Sequence, residues 1–166
     1  MRAAVLAVAA AVLLSGCGYT VRGTLPSHIQ TIAVPIFRNY TREPGVESFI
    51  TRAVVEAFST NGRLRVVRSG QADAVLDGEI IGYNIVSIAF DEDSNVRLYR
   101  LVVTVNLRLR DIKQNAVLFQ QNEVREQADF RVQRAVSGTI AREETALGTA
   151  ATEIGRAIVA LTVTRF

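Results

Sequence analysis

The side chains able to do chemistry are unevenly supplied in this 166-residue chain. There is one thiol, Cys17, and one imidazole, His28, while arginine makes up all but one of the 19 basic residues. A Ser-His-acid triad would have to use His28, and no serine stands in a Gly-x-Ser-x-Gly elbow. With no second histidine or cysteine beside it, His28 is a poor metal ligand and reads as a surface side chain. Asp91, Glu92 and Asp93 could hold a divalent cation or simply keep a turn soluble. The glycine and distal glutamate of a calcium loop are missing. Paired carboxylates for glycoside cleavage have no supporting motif. The chain therefore reads as a non-enzyme, with no catalytic residues, no metal and no dissociable cofactor.

Cys17 carries the one clear signal. It ends Leu14-Ser15-Gly16-Cys17, preceded by Met1-Arg2 and by Ala3–Leu14, a run of only Ala, Val and Leu. A positive start, an apolar run and small residues at the cut make a secretory signal. The run is too short for a bilayer core, which takes about 20 helical residues. An ordinary signal peptide that happens to end near a cysteine would look similar. The four residues also resemble the bacterial lipobox, which implies diacylglycerol on the thiol, cleavage before Cys17 and an N-acyl chain on the new amine. A lone thiol in an exported chain is otherwise a liability. Several acyl chains anchor stably where one does not. In the lipoproteins this segment resembles, Asp after the cysteine favours inner-membrane retention, so the resemblance with Gly18 there implies the outer membrane, on its periplasmic side.

The expected organisation is a signal over 1–16, a lipidated tether over 17–30 and a single α+β domain over 31–166. The mature chain would hold 18 basic against 16 acidic residues. That balance, without a basic run or an arginine–aromatic platform, excludes a nucleic-acid footprint. Thr31–Phe37 predicts a short strand that lies at a sheet edge or ends at Pro35. Apolar residues at 46, 49, 50, 53, 54, 57 and 58 predict an amphipathic helix closed by Asn61-Gly62, with Pro44 at an early position. Leu64–Val67 is a second short strand, and Ser69-Gly70-Gln71 a turn. Ala74–Phe90 and Val96–Asp111 then form a long hairpin. Tyr99, Leu101, Val103, Val105, Leu107 and Leu109 share one of its faces, and Arg100, Thr104, Asn106, Arg108 and Arg110 the other. Gly78 and Gly82, at the parity of Leu76 and Ile80, would admit a helix closely or mark a bulge. Val117–Val124 is a third strand after a turn at Asn115. From Thr139, the spacing of Ile140, Leu147, Ala151, Ile154, Ile158 and Leu161 predicts a final helix. Gly148 and Gly155 in it suggest close packing on the sheet. The fold expected is two helices on one face of a mostly antiparallel four- to five-stranded sheet with a long central hairpin.

Several segments, in order, are similar to the lipopolysaccharide-assembly lipoprotein family (LptE-like). They are Cys17-Gly18-Tyr19, Leu25-Pro26, Thr31–Phe37, Arg38-Asn39-Tyr40-Thr41, Ala72–Ile80, Tyr99–Asn106 and the final helix with Glu143, Glu144 and Ala146. The resemblance implies a plug inside a large outer-membrane β-barrel (LptD-like) that helps insert lipopolysaccharide into the outer leaflet. It names as partners that barrel, lipopolysaccharide and, through the anchor, the outer membrane. A phosphorylated, acylated sugar asks for cations beside apolar surface, and arginine meets phosphate with two donors. Arg97 and Arg100 after the hairpin tip, and Arg131 and Arg134 before the last helix, are the binding candidates. Alternatively, Thr31–Phe37 with Asn39 and Thr41 resembles a self-assembling secretion-channel lipoprotein of the curli type, which would need strands long enough to cross a membrane.

Overall fold

Three consecutive β-rich runs make the frame of the molecule. The computed structural model describes residues 25–90, 96–131 and 139–164, with the side chains of 96, 97, 139–147 and 164 left aside. The signal, Cys17, most of the tether, the turn 91–95, Arg134 and the side chains of Ile140, Glu143, Glu144 and Leu147 lie outside what is described. In chain order the elements are β1 (Thr31–Ala33), β2 (Arg38–Asn39), α1 (Val46–Asn61), β3 (Arg65–Val66), β4 (Ala74–Phe90), β5 (Val96–Asp111), β6 (Ala116–Phe130) and α2 (Thr139–Thr164). A short 3-10 turn occupies Ser69–Gln71. The class is α+β, as expected. No described helix is long and apolar enough to cross a membrane.

The sheet has six strands in the order β3-β1-β4-β5-β6, with β2 pairing β4 beyond β1. It is mostly antiparallel, as expected, through the long strands β4, β5 and β6, and the short strands make it mixed. β1 runs parallel to both β3 and β4, and β2 parallel to β4. Parallel neighbours need a crossover, and α1 supplies it between β1 and β3. The sequence reading missed this because strands of two or three residues carry no period. Pro35 ends β1, which lies inside the sheet between β3 and β4 and not at its edge. β6 runs six residues past Val124, to Phe130. Glu123, Arg125 and Asp129 alternate with Val124, Ala128 and Phe130, whose burial keeps the strand on the core, and Glu126 lies half-buried on the core side opposite Val103.

The two helices cover one face. α1 buries Val46, Ile50, Ala53, Val54, Ala57 and Phe58, as its stripe predicts. Gly62, left-handed at φ 72°, closes it through a 3.1 Å bond from its N–H to the Phe58 carbonyl. Pro44 stands before the N-cap residue Gly45, outside the helix. From α2, Ala150, Ala151, Ile154, Ile158, Val159 and Val163 meet the alternate residues Leu101 to Leu109 of β5. Gly82 follows a register shift, one of the two outcomes expected, while the surroundings of the other glycines differ from expectation. Beside Gly78 lies the Phe37 ring, 2.5 Å from where a Cβ would stand. Gly155 faces the α1 backbone at Ala53, and Gly148 has nothing within 4 Å.

A register shift between Ile80 and Gly82 changes the parity of β4. Leu76, Gly78 and Ile80 pair with Leu109, Leu107 and Val105 on the helix side. After the bulge, Tyr83 and Ile85 take that side opposite Val103 and Leu101, while Gly82 moves to the other face opposite Thr104.

Candidate functional site

The second face of the sheet has no covering layer among the described residues, and the polar side chains gather there. Alternation along β4, β5 and β6 places Asp77, Glu79, Asn106, Arg108, Arg110 and Gln120 on it. With Pro35, Ile36, Arg38 and Asn122 they surround a depression of about 530 Å³ beside the β1–β2 connection. Asp77 stands opposite Arg108 in register, yet it accepts its 2.6 Å bond from Nε of Arg110, the diagonal neighbour. That bond raises the pKa of Arg110. Glu79 accepts from Arg38 Nη1 and Asn106 Nδ2, both at 3.3 Å. Arg108 is exposed and has no side-chain partner among the described residues. The depression thus offers donors and acceptors of both signs.

Toward the hairpin tip the same face turns apolar. Val86, Ala89, Leu98 and Val102 lie on it by register. Val86 is 43% exposed. Arg100 sits among them and is engaged by Asp129 across the strand, Nε to Oδ1 at 2.6 Å and Nη2 to Oδ2 at 2.9 Å. This fork raises the pKa of Arg100 and lowers that of Asp129. On the helix side at the same level, Tyr99 stacks on Phe130 with ring centroids 5.5 Å apart.

Of the four arginine candidates, three fall at one end of the sheet. Arg97 lies in β5 three residues before Arg100, and Arg131 is exposed just past Phe130, the register partner of Tyr99. Arg134 lies outside the described residues. Arg108 and Arg110 belong instead to the polar half. Sequence reasoning placed Asn106 on that face and missed Asp77, Glu79, Gln120 and Asn122; the two-residue spacing of Asp77 and Glu79 was the one signal for the acids.

His28 is not a simple surface residue. Its Nε2 lies 2.5 Å from Oδ2 of Asp111, whose side chain is fully buried while that of His28 is 31% exposed. Asp111 also accepts from the Gln114 N–H at 2.9 Å, and these bonds hold its pKa below the usual range. Nearby, Asp73 accepts from the N–H groups of Gln30 and Thr31, the Thr31 hydroxyl and Lys113 Nζ. Lys113 and Thr31 together depress its pKa strongly. These two carboxylates fasten the segment entering β1 to the sheet. No group of three or more metal-ligating side chains occurs among the described residues.

The family described as LptE, lipopolysaccharide-assembly, matches residues 29–161. No protein with curated function matches the chain. Among solved structures, a hypothetical protein from Chlamydia trachomatis is similar, with a TM-score of 0.57 at 12% identity, over 82% of this chain and 97% of that one. A PelC dodecamer subunit from Paraburkholderia phytofirmans gives 0.50 at 16% identity, over 82% and 93%. A protein from Xanthomonas campestris gives 0.50 at 16%, over 87% and 91%. At such identities the likeness is one of fold.

Proposed function

Since the chain belongs to the LptE lipopolysaccharide-assembly family, we propose that it is an outer-membrane lipoprotein that plugs the lipopolysaccharide-inserting β-barrel and contacts lipopolysaccharide during delivery. Cys17 carries the lipid, and the domain sits on the periplasmic side of the outer membrane. The protein acts by assembly and not by catalysis.

The supporting observation is the graded open face. One half presents carboxylates, amides and arginines around a 530 Å³ depression. The other presents Val86, Ala89, Leu98 and Val102 with Arg100 among them. Lipopolysaccharide is built the same way, with phosphorylated sugar at one end and acyl chains at the other. Arginine beside apolar surface suits the junction of the two. Arg97, Arg100, Arg131 and Arg134 are the proposed contacts there, Arg100 only by sharing its guanidinium with Asp129.

A plug that fills a lumen stabilises its barrel by mass action, because it binds the folded form alone. Depletion of the lipoprotein is therefore expected to leave the barrel misassembled or degraded and the outer membrane permeable to large and apolar antibiotics. Normal barrel levels with an intact permeability barrier would overturn the reading.

A further inference from the structure

The two outer edges of the long strands are built in opposite ways. β6 carries Glu123, Arg125, Glu126 and Asp129, with Glu123 in the left-handed region at φ 54°. Charges and bulges of this kind keep other strands from pairing. On the other side, β2 ends its pairing with β4 at Ile80, and no described strand continues along that edge. Tyr83 is half-buried and the residues from Asn84 to Ile88 are exposed, so Asn84–Phe90 is the open stretch. From Ile80 to Phe90 there is no charged residue and no proline. Its guards are register irregularities near Ile81 and Ile88. Ile85 and Val86 are 41% and 43% exposed on opposite faces. A strand added at this edge would therefore find an apolar neighbour on each side.

The chain's own tether does not reach. Cys17 to Thr24, eight residues, spans at most about 28 Å when extended. The ten steps along β4 from Ala74, beside β1, to Asn84 cover about 33 Å. A plug filling a lumen leaves no room for a second copy of itself. The wall of a closed barrel has no free edge to offer, so the strand must come from a loop that folds inward.

We propose that the Asn84–Phe90 edge of β4 is a strand-addition site for an extended, uncharged loop segment of the barrel partner, apolar at alternate positions. This rests on the plug reading. Main-chain bonds would supply the affinity, and the side chains beside Ile85 and Val86 the selectivity.

The test uses the full lipidated chain, recovered in detergent with the barrel from the cells that make both. Asn84→Lys with Ser87→Lys places two charges on exposed positions of the open edge. Gln127→Lys adds a charge to β6 as the control. Recovered barrel is expected to fall about tenfold or more with the double variant, because two charges would be buried against the added strand. It should stay unchanged with the control, and all variants should melt as the parent chain does. In the parent complex, amide exchange across Asn84–Phe90 should slow relative to the chain alone. Equal recovery from all variants, or unchanged exchange, overturns the proposal and spares the plug reading. Absence of any barrel with the parent chain overturns both. A photocrosslinker at Ser87 that yields a dimer of this chain would give the edge to a second copy and refute the loop.

Discussion

Gly155 is where the two helices come closest, and it yields a prediction of sign as well as size. A Cβ there would stand 2.6 Å from the carbonyl oxygen of Ala53 and 2.7 Å from its carbon, where ordinary contact begins at 3.4 Å. Both atoms are backbone, so no rotamer change relieves the clash. Gly155→Ala must separate α1 from α2 by most of an ångström. Overpacking of this kind costs about 1–3 kcal/mol, and alanine returns at most about 1 kcal/mol of helix propensity. The net expectation is a loss of about 1–2 kcal/mol. Two turns earlier, Gly148 meets nothing within 4 Å, so Gly148→Ala keeps the propensity gain of up to about 1 kcal/mol. In a domain of this size 1 kcal/mol moves the melting temperature by about 2–4 °C. Gly155→Ala should therefore melt about 2–8 °C lower, and Gly148→Ala up to about 4 °C higher. Thermal and urea unfolding of the chain expressed from Gly18 reads both. Shifts of the same sign, or a neutral Gly155→Ala, would refute the close approach of α1 and α2.

Two further expectations follow from the charges. Asp73 and Asp111 are held below their ordinary value of 3.8, so the stability they add is complete above that pH and is lost as pH falls through their folded-state values. Melting temperature measured from pH 7 down to pH 2 should drop below about pH 4, and Asp73→Asn should lower the neutral-pH value and flatten the fall; a parallel curve for the variant would contradict the fastening role. On the open face, Arg131→Gln should weaken lipopolysaccharide binding more than Arg100→Gln, because Asp129 already occupies the Arg100 guanidinium. Titration of detergent-dispersed lipopolysaccharide measures both, and the reverse order would move the contact to Arg100.

What was legible in the sequence was periodic. Six alternate apolar residues from Tyr99 to Leu109 defined the covered face of β5, and the stripe from Val46 to Phe58 defined α1. The end of β4 and both ends of β5 fall where the composition changes, at Asp91-Glu92-Asp93-Ser94-Asn95 and at Asp111. Pairing between distant short segments was not legible. Thr31–Ala33, Arg38–Asn39 and Arg65–Val66 are strands only because β4 and one another hold them, so their parallel sense and their places in the sheet had no local cause. Gly78 and Gly155 were visible as glycines in elements that disfavour them. Which neighbour required each one, the Phe37 ring or the Ala53 carbonyl, is tertiary information. The burial of Asp111 and its bond to His28 were hidden for the same reason: the partners are 83 residues apart.

The bulge at Ile81 divides β4 into two parts with different work. Before it, Ala74, Leu76 and Ile80 are fully buried under the helices, and β1 and β2 pair with this half of the strand. Had the strand continued in phase, Gly82, Asn84 and Val86 would face the helix side, with Tyr83 and Ile85 on the open face. The extra residue exchanges the two sets. It sends Tyr83 and Ile85 to the helix side opposite Val103 and Leu101, and it puts Val86 beside Arg100 and Val102 on the open face. One inserted residue thereby ends the packed half and begins a half whose apolar side chains are 36–61% exposed at Ile81, Ile85, Val86, Ile88 and Phe90. Deleting Ile81 would remove the bulge and leave Gly82 opposite Thr104, so Tyr83 and Ile85 would stay on the helix side. Only pairing Ile81 itself into the ladder would turn Tyr83 and Ile85 to the open face and Val86 away from it, which ties both the proposed lipid contact and the open edge to a single backbone irregularity.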